Sequence, residues 1–185
     1  MKHILICGER NTGKTALFDR LLKLCRVPVY GFTTAVTKTR EDGYHEIYMF
    51  PAGSADRTER EENHVGDCNM KERTVNLPVF STYGLGLLNA ARPDGIIAMD
   101  ELGFMEAKAP EFYDRVLELL DGDIPVLATV KGGRPDVEFL NTLYHHPKAQ
   151  RYDVSPENVD SLYEILAPLV ERWNKRIENA ETDSV

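Results

Sequence analysis

Two glycines with four residues between them, followed at once by a lysine and a threonine, stand at Gly8-Glu9-Arg10-Asn11-Thr12-Gly13-Lys14-Thr15. A loop of this spacing can turn successive backbone N–H groups inward around a phosphate, at the positive end of a following helix. Lys14 then serves as a point charge for the β- and γ-phosphates, and the Thr15 hydroxyl as a ligand for Mg2+. The expected nucleotide-binding stretch is Gly8, Glu9, Arg10, Asn11, Thr12, Gly13, Lys14, Thr15 and Ala16. Arg10 is an extra cation for the γ-phosphate. Asn11 suits a left-handed backbone better than most residues, so the loop can close without a third glycine.

Phosphate chemistry also needs acids, and Ile96-Ile97-Ala98-Met99-Asp100-Glu101 supplies two at the end of an apolar run. Ligands gather at the carboxyl ends of strands in open α/β sheets. Asp100 is placed to bond Thr15 and a Mg2+-bound water, and Glu101 to orient a water for in-line attack on the γ-phosphate. Lys14 and Glu101, with Arg10, are therefore the catalytic candidates, and Thr15 and Asp100 the metal ligands. Three activities share these parts. Triphosphate hydrolysis comes first. A small-molecule or nucleotide kinase would have Glu101 take a proton from an acceptor hydroxyl. A nucleotide-switched binding module would act through a protein partner.

Both stretches require a strand before them. His3 to Cys7 reads as a buried strand and Ala16 to Leu24 as a helix, ended before Pro28. Val29 to Val36 and His45 to Phe50 read as a hairpin around Glu41-Asp42-Gly43. The polar, charged stretch Pro51 to Asn69 reads as a solvated loop. Its functional alternative is a mobile flap that brings Arg57, Arg60 or Arg73 to the phosphates. Val75 to Phe80 reads as a strand and Thr82 to Ala91 as a helix, then the Asp100 strand follows. A helix begins near Pro110, a strand spans Val126 to Val130, and a loop spans Lys131 to Pro135. Arg151 to Val154 is a last short strand, and a helix starts at Ser155-Pro156-Glu157, with a bend at Pro168. His145 and His146 precede Pro147 in what reads as a surface loop. Alternating strands and helices predict an α/β fold with a mostly parallel sheet covered on both faces. One domain spans residues 1–176, and 177–185 form a polar, frayed tail.

A formal charge of -8, from 30 acidic and 22 basic side chains, argues against a broad nucleic-acid footprint. No apolar run is long enough to span a membrane, and Met1-Lys2 leads straight into the first strand without a signal pattern. Cys7, Cys25 and Cys68 lack metal-ligand spacing. The expectation is a cytoplasmic protein with a nucleoside triphosphate as its substrate.

Asp100-Glu101-Leu102-Gly103-Phe104-Met105-Glu106 resembles the D-E-[IL]-G-x-M-E signature of the nucleoside-triphosphatase family first described from thermophiles, which has cancer-related homologues in animals. Gly31-Phe32-Thr33-Thr34 is similar to that family's G-F-x-T segment, and Val126 to Val130 and Val154 to Asn158 are similar to its later strand and T-x-x-N-R segment. The matches run in family order from Gly8 to about Leu162. The resemblance implies a three-layer α/β/α P-loop NTPase domain with a RecA-like, mostly parallel sheet and an added antiparallel hairpin. It further implies slow, Mg2+-dependent hydrolysis of several NTPs to NDP and phosphate. The 85 residues from Thr15 to Asp100 (100 − 15) suit the RecA-like branch, in which an extra strand separates the phosphate-loop strand from the acidic one. Ala128-Thr129-Val130-Lys131-Gly132-Gly133 lacks the Asn-Lys-x-Asp run that reads guanine in GTPases. The chain departs from the family at several points. Arg10 and Asn11 replace Pro and Gly, Phe104 replaces Lys, Lys38 replaces Arg, and Ser155 and Val159 replace Thr and Arg.

Overall fold

The computed structural model describes residues 2–69 and 71–182. Its elements in order are β1 (His3–Gly8), α1 (Lys14–Leu22), β2 (Val29–Thr39), β3 (His45–Pro51), β4 (His64–Cys68), α2 (Leu77–Val79), α3 (Leu85–Asn89), β5 (Ile96–Leu102), α4 (Pro110–Asp121), β6 (Val126–Lys131), α5 (Glu138–Tyr144), β7 (Ala149–Asp153) and α6 (Val159–Thr182).

Seven strands form one sheet in the order β4-β3-β2-β5-β6-β1-β7. Every pair from β2 to β7 is parallel, whereas β3 and β4 add antiparallel strands at one edge. The strand β6 separates β1 from β5, as the RecA-like arrangement requires.

Strand pleating decides which residues meet which helix layer. Leu5 and Cys7 of β1, and Ile97 and Met99 of β5, face one core with Phe32, Phe80, Phe112 and Leu140. Ile4 and Ile6, and Ile96 and Ala98, face the other core with Leu17, Phe18, Leu21, Leu166 and Trp173. Both faces being covered explains why these strands read as continuous apolar runs. In the first core Phe112 lies 5.5 Å from Phe32 and 5.4 Å from Phe80, ring centre to ring centre. At Gly31 β2 runs tight against β5. Its φ is 92°, and a Cβ there would lie 2.2 Å from the Ala98 carbonyl oxygen.

Several expectations change. Val75 to Phe80 is not a strand. Helix starts at Leu77, continues through a π-helical turn (Phe80–Gly84) and ends at Asn89. Pro78 sits in its first turn, where a proline costs no hydrogen bond. Pro51 to Asn69 is not loop throughout, because a short 3-10 turn (Glu61–Asn63) leads into β4. The last helix begins at Val159, after a turn in which Asn158 Oδ1 accepts from the Ser155 N–H at 2.9 Å. Pro168 does not break it. The carbonyl that its missing N–H would have met belongs to exposed Glu164 and can take water. The 177–185 tail is also different where it can be described. Ile177 is buried and α6 runs to Thr182, while 183–185 lie outside the described residues. His146 is buried beside Asp121, at 3.4 Å, rather than in an exposed loop.

Candidate functional site: a phosphate loop facing two acids

The loop joining β1 to α1 takes the shape its residues predict. Asn11 is left-handed at φ 62° and Gly13 at φ 97°, and Gly13 caps α1. The Thr12 hydroxyl donates to the Glu9 carbonyl at 2.9 Å. Neighbouring strands fix the rim: the Gly132 N–H donates to the Gly8 carbonyl at 2.7 Å, and the Val154 N–H to that of Cys7 at 2.7 Å. Behind the loop, a Cβ on Gly13 would come within 2.7 Å of Val159 Cγ2 in α6.

Lys14 is the first residue of α1 and is 7% exposed. Its ammonium donates to the Glu9 carbonyl at 2.7 Å and lies 3.1 Å from Glu101 Oε1. The lysine of the loop and the acid at the end of β5 thus meet directly. Asp100, one residue earlier, is 5% exposed and accepts from the Thr129 hydroxyl of β6 at 2.5 Å. Burial pushes its carboxyl up to about 6. The Thr129 bond opposes that rise, the charges of Glu101 and Asp19 add to it, and Lys14 draws it down.

A cavity of about 360 Å3 opens over these groups. Of the expected site residues, Arg10, Asn11, Lys14, Thr15, Asp100 and Glu101 line it. Gly8, Glu9, Thr12, Gly13 and Ala16 build the loop and the start of α1 beneath. The flap arginines divide. Arg73 lines the cavity, whereas Arg57 and Arg60 do not. Arg57 donates to Thr33 Oγ1 at 3.0 Å and stacks 5.1 Å from the Phe50 ring, and Arg60 turns toward Asp56 at 3.7 Å. Local acids and rings hold them on the β3 side.

Thr129, Lys131, Phe104 and Thr34 also belong to the site or its walls; each stands in a segment read above, yet none was among the expected site residues. Thr129 carried a readable signal, a hydroxyl inside an otherwise apolar strand. Four cations (Arg10, Lys14, Arg73, Lys131) and two acids (Asp100, Glu101) line the cavity, so the pocket is positive within an acidic chain.

The oxygen donors suit a hard divalent cation. Thr15 and Asp100 share the cavity, and Mg2+ held with a nucleotide needs only one or two protein oxygens besides the phosphates. Among the described residues no three His, Cys, Asp or Glu side chains form a cage of their own. No helix among them is long and apolar enough to cross a membrane.

Comparison with known proteins agrees with this architecture. The family model described as NTPase matches residues 3–167. A protein from Natranaerobius thermophilus named nucleoside-triphosphatase THEP1 is 27% identical over 176 residues, covering 91% of this chain and 96% of that one. One of the same name from Thermofilum pendens is 32% identical over 94 residues, 50% of this chain and 52% of that protein. The crystal structure of THEP1 from Aquifex aeolicus superposes with a TM-score of 0.69 at 24% identity, covering 92% of this chain and 99% of that one.

Proposed function

The chain belongs to the NTPase family, and from that premise we propose that it is a Mg2+-dependent nucleoside triphosphatase of broad base preference and slow turnover, releasing NDP and phosphate. The observation that carries this reading is the meeting of Lys14 and Glu101 at 3.1 Å over a loop whose backbone is already turned for a phosphate. That the matching relatives are named nucleoside-triphosphatase supports it.

The residues divide the work. Residues Gly8 to Ala16 hold the phosphates through backbone N–H groups, and Lys14 neutralises the β- and γ-oxygens. Thr15 and Asp100 would hold Mg2+, which when bound offsets charge on the phosphate oxygens. Thr129 keeps one Asp100 oxygen engaged and the carboxylate oriented. Glu101, with its side chain 37% exposed, reaches solvent and orients the attacking water, then accepts its proton. Arg10, from the exposed rim of the loop, adds charge at the γ-phosphate. The domain extends past residue 176, because α6, its last helix, runs to Thr182 with Ile177 buried.

Phosphate release from ATP, GTP, CTP and UTP, with and without Mg2+, tests the proposal in wild type and Lys14→Ala. Mg2+-dependent release from several NTPs that disappears with Lys14 is the expected result. Tight nucleotide binding without release from any of them would overturn it.

A further inference from the structure

Outside the loop and its acids, the cavity carries a second positive element. The Phe104 ring lies three residues beyond Glu101 and collects three cations: Arg73 Cζ at 4.6 Å, Lys131 Nζ at 5.0 Å and Arg134 Cζ at 5.8 Å from its centre. They arrive from separate parts of the chain. Arg73 follows β4 and bridges back to Cys68, and Lys131 ends β6. Arg134 is already answered by Asp136, with two contacts at 2.9 Å. Arg73 and Lys131 have no acidic partner among the described side chains, and both line the nucleotide cavity.

The chemistry of the platform matters. A carboxylate holding these two cations would cancel their charge. An aromatic face attracts them through its quadrupole and leaves the charge available to an anion. Position matters as well. Lys131 stands in register with Gly8, the first residue of the phosphate loop, and the next N–H bonds the Gly8 carbonyl. Glu101 touches Lys14, and both line one cavity with Arg73, Phe104 and Lys131, so an anion held by Lys14 shares its space with these two cations.

We propose that Arg73 and Lys131, held on Phe104, form a second anion subsite that binds the terminal phosphate of the triphosphate beside the phosphate loop. The inference rests on the triphosphatase reading. It adds that the cation supplied in other phosphoryl-transfer enzymes by a partner is built into this chain, from the β4 edge and β6. Phe104 is a positioning residue, and Arg73 and Lys131 make the contact.

The test compares affinities for a fluorescent NDP and a non-hydrolysable fluorescent NTP in Mg2+, together with kcat, for wild type, Arg73→Ala, Lys131→Ala, Phe104→Leu and Phe104→Tyr. Wild type is expected to prefer the NTP analogue. Each alanine variant should keep NDP affinity within about twofold, lose the NTP preference, and lower kcat by about 10²-fold, as removal of one preorganised charge contact does. Phe104→Leu should follow them and Phe104→Tyr should retain the wild-type preference. Arg73→Gln and Lys131→Gln, which keep length and polarity, give the same reading should an alanine variant melt early. An NTP preference that survives the loss of both cations overturns the subsite, and so does an equal loss of NDP and NTP binding. Absence of phosphate release in wild type would overturn the triphosphatase alone, because the NTP-over-NDP comparison judges the subsite without turnover.

Discussion

Asp100→Asn should make the metal-free protein more stable at neutral pH. The side chain is 5% exposed, and burial lifts its carboxyl from an ordinary 3.8 to about 6. At about 1.36 kcal/mol per pH unit, that rise is a penalty of about 3 kcal/mol on the charged form. Below pH 3.8 the group is neutral in folded and unfolded chains alike, so it contributes nothing to the difference. Between the two values the folded chain holds the extra proton, and stability falls as pH rises. Above about 6 the full penalty is in place. Asparagine keeps an oxygen to accept from Thr129 and carries no charge, so it escapes the fall. Urea unfolding at pH 5 and pH 8 should show a gain of about 3 kcal/mol at pH 8 and about half of that at pH 5. In a chain of this size, roughly 2–4 °C per kcal/mol puts the rise in Tm at pH 8 at roughly 6–12 °C. A variant less stable than wild type at pH 8, or a gain of equal size at both pH values, would refute the reasoning.

Glu101→Gln should bind nucleotide with near wild-type affinity and release phosphate at least about 10²-fold more slowly, since proton transfer by a placed acid or base contributes that much. Unchanged release would take Glu101 out of the mechanism. Gly31→Ala puts a methyl 2.2 Å from the Ala98 oxygen at φ 92°, and should cost about 4 kcal/mol or more. A soluble variant melting within a few degrees of wild type would contradict the close approach of β2 and β5. Asn174 is fully buried, accepting from the Arg26 N–H at 3.1 Å and donating to the Leu24 carbonyl at 2.8 Å. Asn174→Ala should therefore cost about 2–4 kcal/mol by orphaning two backbone groups, and a denaturant midpoint equal to wild type would show that water replaces the tie.

Some of this was legible because local chemistry and global fold agree. The phosphate loop has to follow a strand and open a helix, so Gly8 to Thr15 announced its own surroundings. Asp100 was legible because a buried apolar run ending in acids marks a strand's carboxyl end. Leu77 to Phe80 misled for the opposite reason: a short apolar run has no period that separates strand from helix, and Pro78 was the overlooked clue. β4 was hidden because only Val65 and Gly66 in His64–Cys68 are buried, so its pattern is that of a polar loop. The Phe104 platform was legible only in part: Phe104 stood out where the resembled family has Lys, but nothing local tied it to Arg73 or Lys131. Arg73, Phe104 and Lys131 are tens of residues apart, and only the sheet order brings them to one ring.

That sheet order also sets a timetable for the nascent chain. β1, which carries the phosphate loop, pairs on one side with β6 and on the other with β7, the last two strands to be made. Ile4 waits for Leu127, 123 residues later, and Gly13 for Val159. The N-terminal strand therefore leaves the ribosome long before any neighbour exists to hold it. Domains fold as units during synthesis, and here nucleotide binding is expected to appear abruptly once β7 and the start of α6 have emerged. Until then the earliest motif in the sequence is a loop without walls.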